Sequence, residues 1–134
     1  MTKRRSVRVR ALSVQEKTAI AAVCERFIAE TMKPRFLPEV KPTQFNYPID
    51  LFGQWRGSKY SFMLRYRSGW LDNEGEEFNA GFTRLDHVEE NLIETRFDVM
   101  WHRHTGQWWR AHRSVTLEEA LRLIETTPLL QPPT

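Results

Sequence analysis

The chain has 134 residues and a mass of 16.0 kDa, the size of one ordinary domain. Lys and Arg number 20 against 17 Asp and Glu, a formal net charge of +3. Five of those bases (Lys3, Arg4, Arg5, Arg8 and Arg10) fall in the first ten residues with no acid among them, so the remainder holds 15 bases against 17 acids, or −2, which excludes a uniformly basic, histone-like domain.

Hydrophobic residues make up 40% of the chain and include five Trp, three Tyr and eight Phe, enough for a packed core. The single cysteine, Cys24, excludes an internal disulfide framework and a Cys-based zinc site within one chain. No apolar run approaches the ~20 residues that cross a bilayer. The basic start is not followed by an apolar stretch of the secretory kind. The expected setting is the cytoplasm, away from membranes, and no cofactor is implied.

Residues 1–11 read as a flexible basic arm. Ser13-Val14-Gln15-Glu16 then forms a capping box: the Ser13 hydroxyl accepts from the Glu16 backbone N–H while the Glu16 carboxylate reaches back. Behind it Ile20, Val23, Cys24, Phe27 and Ile28 share one helical stripe. Pro34 disfavours helical geometry in Lys33, so the helix is expected to end near Met32. Pro34, Pro38 and Pro42 stiffen the connection that follows.

The period then changes to two. Ile49, Leu51, Gly53 and Trp55 alternate with Asp50, Phe52 and Gln54, and Tyr60, Phe62, Leu64 and Tyr66 alternate with Ser61, Met63 and Arg65. Gly57-Ser58 is a two-residue type II′ hairpin signal. It pairs Trp55 with Tyr60, Gly53 with Phe62, Leu51 with Leu64 and Ile49 with Tyr66, and sets Asp50 opposite Arg65 on the other face. An acidic loop, residues 68–77, leads to a third strand with Phe78, Ala80 and Phe82 on one face. A fourth strand is expected to turn Ile93, Thr95, Phe97, Val99 and Trp101 inward.

The next turn decides a register. A three-residue loop, His104-Thr105-Gly106, pairs Arg103 with Gln107, Trp101 with Trp109 and Val99 with Ala111. A two-residue loop would bury Arg110 and His112 against an apolar layer, at a high desolvation cost. The first register is therefore expected. Thr116-Leu117-Glu118-Glu119 reads as a second capping box and opens a helix with Leu117, Ala120, Leu121 and Ile124 on one stripe, closed by Pro128.

The predicted architecture is α+β: residues 12–127 form one domain, with a five-stranded, mostly antiparallel sheet and an N-terminal and a C-terminal helix packed on one face. Residues 128–134 read as a Pro-rich tail.

The run Trp101-His102-Arg103-His104-Thr105-Gly106-Gln107-Trp108 resembles a small bacterial family catalogued as domain of unknown function 3024. That family has Trp-x-Arg-x-x-x-Lys-Trp across its last hairpin and a Ser-Leu-Glu-Glu start to its final helix. Trp101, Arg103 and Trp108 match the first pattern, and Thr116-Leu117-Glu118-Glu119 resembles the second. Arg65-Tyr66-Arg67 followed by Trp70 resembles an Arg-Pro-Arg-Trp run. Gln107 stands in place of a lysine and Ala111 in place of an aromatic residue. The likeness spans roughly residues 13–126; it implies the same fold and carries no activity.

With both helices on one face, the other shows Asp50, Phe52, Gln54, Ser61, Met63, Arg65, Arg67, Asp98, Met100, His102, Trp108, Arg110 and His112. One reading is a basic-aromatic platform for nucleic acid or another polyanion, contacted through Lys3, Arg4, Arg5, Arg8, Arg10, Arg65, Arg67, Arg110 and Trp108. A second is a protein-interaction or homodimerisation surface burying Phe52, Met63, Met100 and Trp108. A third is an enzyme: Asp98 is expected opposite His112, with His102 near, the arrangement of a carboxylate-oriented general base, although no nucleophile lies beside it. Plain alternatives remain beside each: a solvated sheet face, a structural Asp–His pair, a solubilising arm. His102-x-His104 is a two-imidazole pattern, short of the three or four ligands that a metal requires.

Overall fold

In the computed structural model, residues 8–133 are described. Lys3, Arg4 and Arg5 lie outside them. The element order is α1 (Val14–Phe27), a π-helical turn (Ile28–Met32), α2 (Lys33–Phe36), β1 (Asn46–Arg56), β2 (Lys59–Ser68), β3 (Glu77–His87), β4 (Phe97–His102), β5 (Trp108–Val115) and α3 (Leu117–Thr126). The strands form one sheet in the order β1-β2-β3-β4-β5, every neighbouring pair antiparallel. This is an α+β fold with the helices on one face.

The Ser13 capping box forms as expected. Ser13 Oγ accepts from the Glu16 N–H, and the Glu16 carboxylate accepts from the Ser13 N–H, each at 3.0 Å. Thr116 caps α3 through the Glu119 N–H at 3.2 Å, without the reciprocal half of a box. The first helix does not end near Met32. It widens by one residue, with the Lys33 N–H bonded to the Ile28 carbonyl, and runs on through Pro34 to Phe36. The wide turn directly before Pro34 relieves the clash of its ring with the preceding turn.

Leu51, Tyr60, Phe62, Leu64, Leu85, Phe97 and Val99 line the helix-facing side of the sheet and meet Ile20, Cys24, Ile28, Met32, Ala120 and Ile124. The Gly57-Ser58 hairpin holds the expected register from Arg56↔Lys59 to Asp50↔Arg65, with Gly57 at φ 60 as a type II′ turn requires. Below that, Pro48 rather than Ile49 pairs with Tyr66, because Ile49 is the extra residue of a bulge.

The fourth strand begins only at Phe97. Asn91 Oδ1 accepts from the N–H groups of Ile93 and Glu94 and turns that stretch into a loop, leaving Ile93 exposed rather than inward. The three-residue turn is present: Arg103 donates to the Gln107 carbonyl at 2.9 Å, and Trp101 faces Trp109. Val99, however, pairs with His112, not Ala111, because Ala111 is the extra residue of a bulge; a second irregularity follows before Val115 pairs with Phe97.

Both ends of the described chain are tied down. The Arg10 N–H bonds to the Glu89 carbonyl, and its guanidinium reaches Glu16 (2.9 Å) and Thr95 (2.7 Å). Leu12 is buried in the core. Beyond α3, Leu130 is fully buried and its carbonyl accepts from Thr83 Oγ1 at 2.8 Å.

Candidate nucleic-acid interface

The helix-free face of the sheet is assembled by the period-two alternation of all five strands, re-phased by a bulge at Phe82 in β3. Paired positions place Met63 opposite Gly81, Ser61 opposite Arg84, Arg84 opposite Met100, and His102 opposite Trp108. Gly81 leaves little spare room beneath Trp108: a Cβ at this position would stand 3.2 Å from both the indole and Met63 Sδ. Arg84 covers the Trp108 ring at 4.6 Å, Arg65 covers Phe52 at 4.9 Å, and His102 leans on Trp108 with ring centres 4.8 Å apart.

Each carboxylate on this face has a cationic partner. Glu77 takes Arg67 at 3.0 Å, and Asp86 takes Arg84 through two contacts of 2.6 and 2.9 Å. Asp98 takes Arg110 at 3.5 Å, and Asp50, at the β1 edge, takes Lys33 at 3.1 Å. Among the described residues, Arg56, Lys59 and Arg65 have no carboxylate within ion-pair distance. Arg56 and Lys59, together with Gln54, Ser61, Met63, Gly81, Arg84 and Trp108, line a dent of about 150 Å³. Arg65 stands just outside it on the same strand as Ser61 and Met63.

The sequence expectations are thus redistributed. Arg65, Arg67, Trp108 and Arg110 do share the open face, but Arg67 and Arg110 are committed to acids. Arg8 is exposed, whereas Arg10, expected on a free arm, is anchored to Glu16, Thr95 and Glu89. Glu16 is held below its ordinary carboxyl range, first by the capping N–H of Ser13 and then by Arg10. Arg56, Lys59 and Arg84 were not foreseen. The first two continue the alternation of β1 and β2 around the hairpin turn and were legible there; Arg84 reaches this face only through the Phe82 bulge.

A family model described as Domain of unknown function (DUF3024) matches residues 12–130. The chain belongs to that family. No curated protein and no solved structure matches it.

In this DUF3024 chain the expected Asp98–His112 pair does not form. Asp98 Oδ1 accepts instead from the Ser114 N–H at 2.9 Å. The bulge around Ala111 carries His112 to the helix side, where it borders Val115, Glu119, Arg122 and Leu123. His102 stays on the open face against Trp108, so the sheet itself separates the two imidazoles. His104 lies in the exposed β4–β5 turn. Among the described residues no three His, Cys, Asp or Glu side chains converge to hold a metal ion. No described helix of the DUF3024 chain is long and apolar enough to cross a membrane.

Proposed function

We propose that this chain binds nucleic acid in the cytoplasm through the open sheet face, contacting the phosphate backbone with Arg56, Lys59 and Arg65 and presenting Trp108 beside them. The observation that carries this reading is the charge pairing. Four carboxylates on the face are paired with Arg67, Arg84, Arg110 and Lys33; of the three remaining cations, Arg56 and Lys59 line one polar dent and Arg65 stands just outside it. A polyanion recovers their charge by releasing counterions, which no carboxylate of the face competes to prevent. The arm residues Lys3, Arg4, Arg5 and Arg8 add to the same attraction.

A dimer interface on this face is less favoured by the geometry. Phe52 and Trp108, two of its four apolar residues, already lie beneath guanidinium groups, and all four are half-buried in the sheet surface.

The test is a salt titration of binding to a labelled 20-nucleotide single strand. The full chain binds, and its affinity falls steeply with salt. Changing Arg56, Lys59 and Arg65 together to Gln lowers affinity at least tenfold and reduces the log–log salt slope by about 2, at about 0.7 per phosphate contact. Equal slopes for the folded variant and the parent would refute the reading.

A further inference from the structure

A second, roomier cavity lies elsewhere. β3 and β4 pair only from His87↔Phe97 to Thr83↔Trp101; beyond that point the β4–β5 turn swings away from β3, which continues to Glu77 paired with β2 alone. The segment from Pro128 to Pro133 closes the far side, leaving a space of about 630 Å³. That volume falls in the range of small-molecule sites. Its walls are mostly apolar, with Phe36, Phe82, Trp101 and Leu129 among them, while its polar side chains are His102, Arg103, His104 and Gln131. Among the described residues no carboxylate lines it.

Arg103 is the unusual group. Its guanidinium lies 5.4 Å from the Trp101 ring and 5.0 Å from the Trp109 ring. It has no carboxylate partner among the described residues, and its Nε is buried without a hydrogen-bond partner. Ring faces compensate a partly desolvated guanidinium only in part; an anion would complete it. The cation is therefore held in place by two indoles with its charge unmatched, at the edge of an apolar cavity.

We propose that this cavity binds a small organic anion with a flat apolar body. The acid group (carboxylate, sulfonate or phosphate) meets Arg103 and His104, and the body lies against Phe36, Phe82 and Trp101. This site is separate from the dent at Arg56 and Lys59, and its test does not depend on nucleic-acid binding.

Two fluorescent probes of matched body separate charge from apolarity: 1-anilinonaphthalene-8-sulfonate and the uncharged N-phenyl-1-naphthylamine, each titrated into the folded full chain. The expected result is saturable one-to-one binding of the sulfonate, at least tenfold tighter than the neutral probe. Arg103→Met and His104→Glu each weaken the sulfonate at least fivefold and leave the neutral probe unchanged. His104 is exposed in a turn, so the second variant keeps its fold if the first does not. The triple Gln variant at Arg56, Lys59 and Arg65 binds the sulfonate as the parent does. Equal affinity for the two probes, loss of sulfonate binding in the triple variant, or parental sulfonate affinity in folded His104→Glu would each overturn the assignment.

Discussion

His87 is 7% exposed, packed edge-on to Phe97 with ring centres 6.0 Å apart, and both its ring nitrogens lack a hydrogen-bond partner among the described residues. Burial, and next the nearby Arg10 charge, lower its pKa from the ordinary 6.5, against the opposing pull of Glu89, Glu16 and Glu90. The folded chain therefore takes up this proton less readily than the unfolded chain. Stability is complete above about pH 6.5 and declines as pH falls below that value toward the depressed folded pKa. Melting temperatures from pH 8 to pH 5.5 should fall more steeply for the parent than for His87→Phe, and superimposable curves would contradict this. Cys24 makes the matching case for a thiol. It is fully buried, and desolvation, with Glu25 adding to it, pushes its pKa up to about 12. Its thiolate fraction at pH 8 is on the order of a thousandfold below that of a free cysteine. A disulfide reagent should label it only after denaturant is added; fast labelling of the native chain would refute the burial.

Element geometry decides which side chains meet. The Ser13 capping box, the Thr116 cap, the hairpin register and the three-residue turn were legible because each rests on short-range chemistry: a hydroxyl three residues before a carboxylate, a Gly-Ser pair, a glycine at the bulge position. The bulges at Ile49, Phe82 and in β5 left no such mark, and each reverses the side chains beyond it. That is why Arg84 joined the open face unannounced and why His112 left it. Asp98 shows what the β5 irregularity uses instead of an imidazole. Its carboxylate accepts from the N–H of Ser114, which sits at φ 51, while Arg96 donates to the Ser114 carbonyl at 3.0 Å. Asp98→Ala should cost about 1.5–3 kcal/mol in urea unfolding, the range for a hydrogen bond to a charged group. A variant that loses less than about 0.5 kcal/mol would show that the bulge holds itself.

At the scale of the molecule, +3 is a sum over unlike surfaces. Acids cluster in the loops around residues 72–77 and 89–94, while one sheet face pairs its carboxylates internally and retains Arg56, Lys59 and Arg65 without acid partners. The sequence showed that a helix-free face exists, and alternation put Arg65, Trp108 and Arg110 on it. Which of its cations stay unpaired depends on contacts across three strands that no single segment encodes. Binding at that face is tested most directly by amide chemical-shift mapping. On adding a 20-nucleotide single strand to the labelled full chain, shifts should concentrate at Gln54, Arg56, Lys59, Ser61, Met63 and Arg65 and at the Trp108 indole N–H. Shifts confined to α1 and α3, or none at all at low salt, would contradict it.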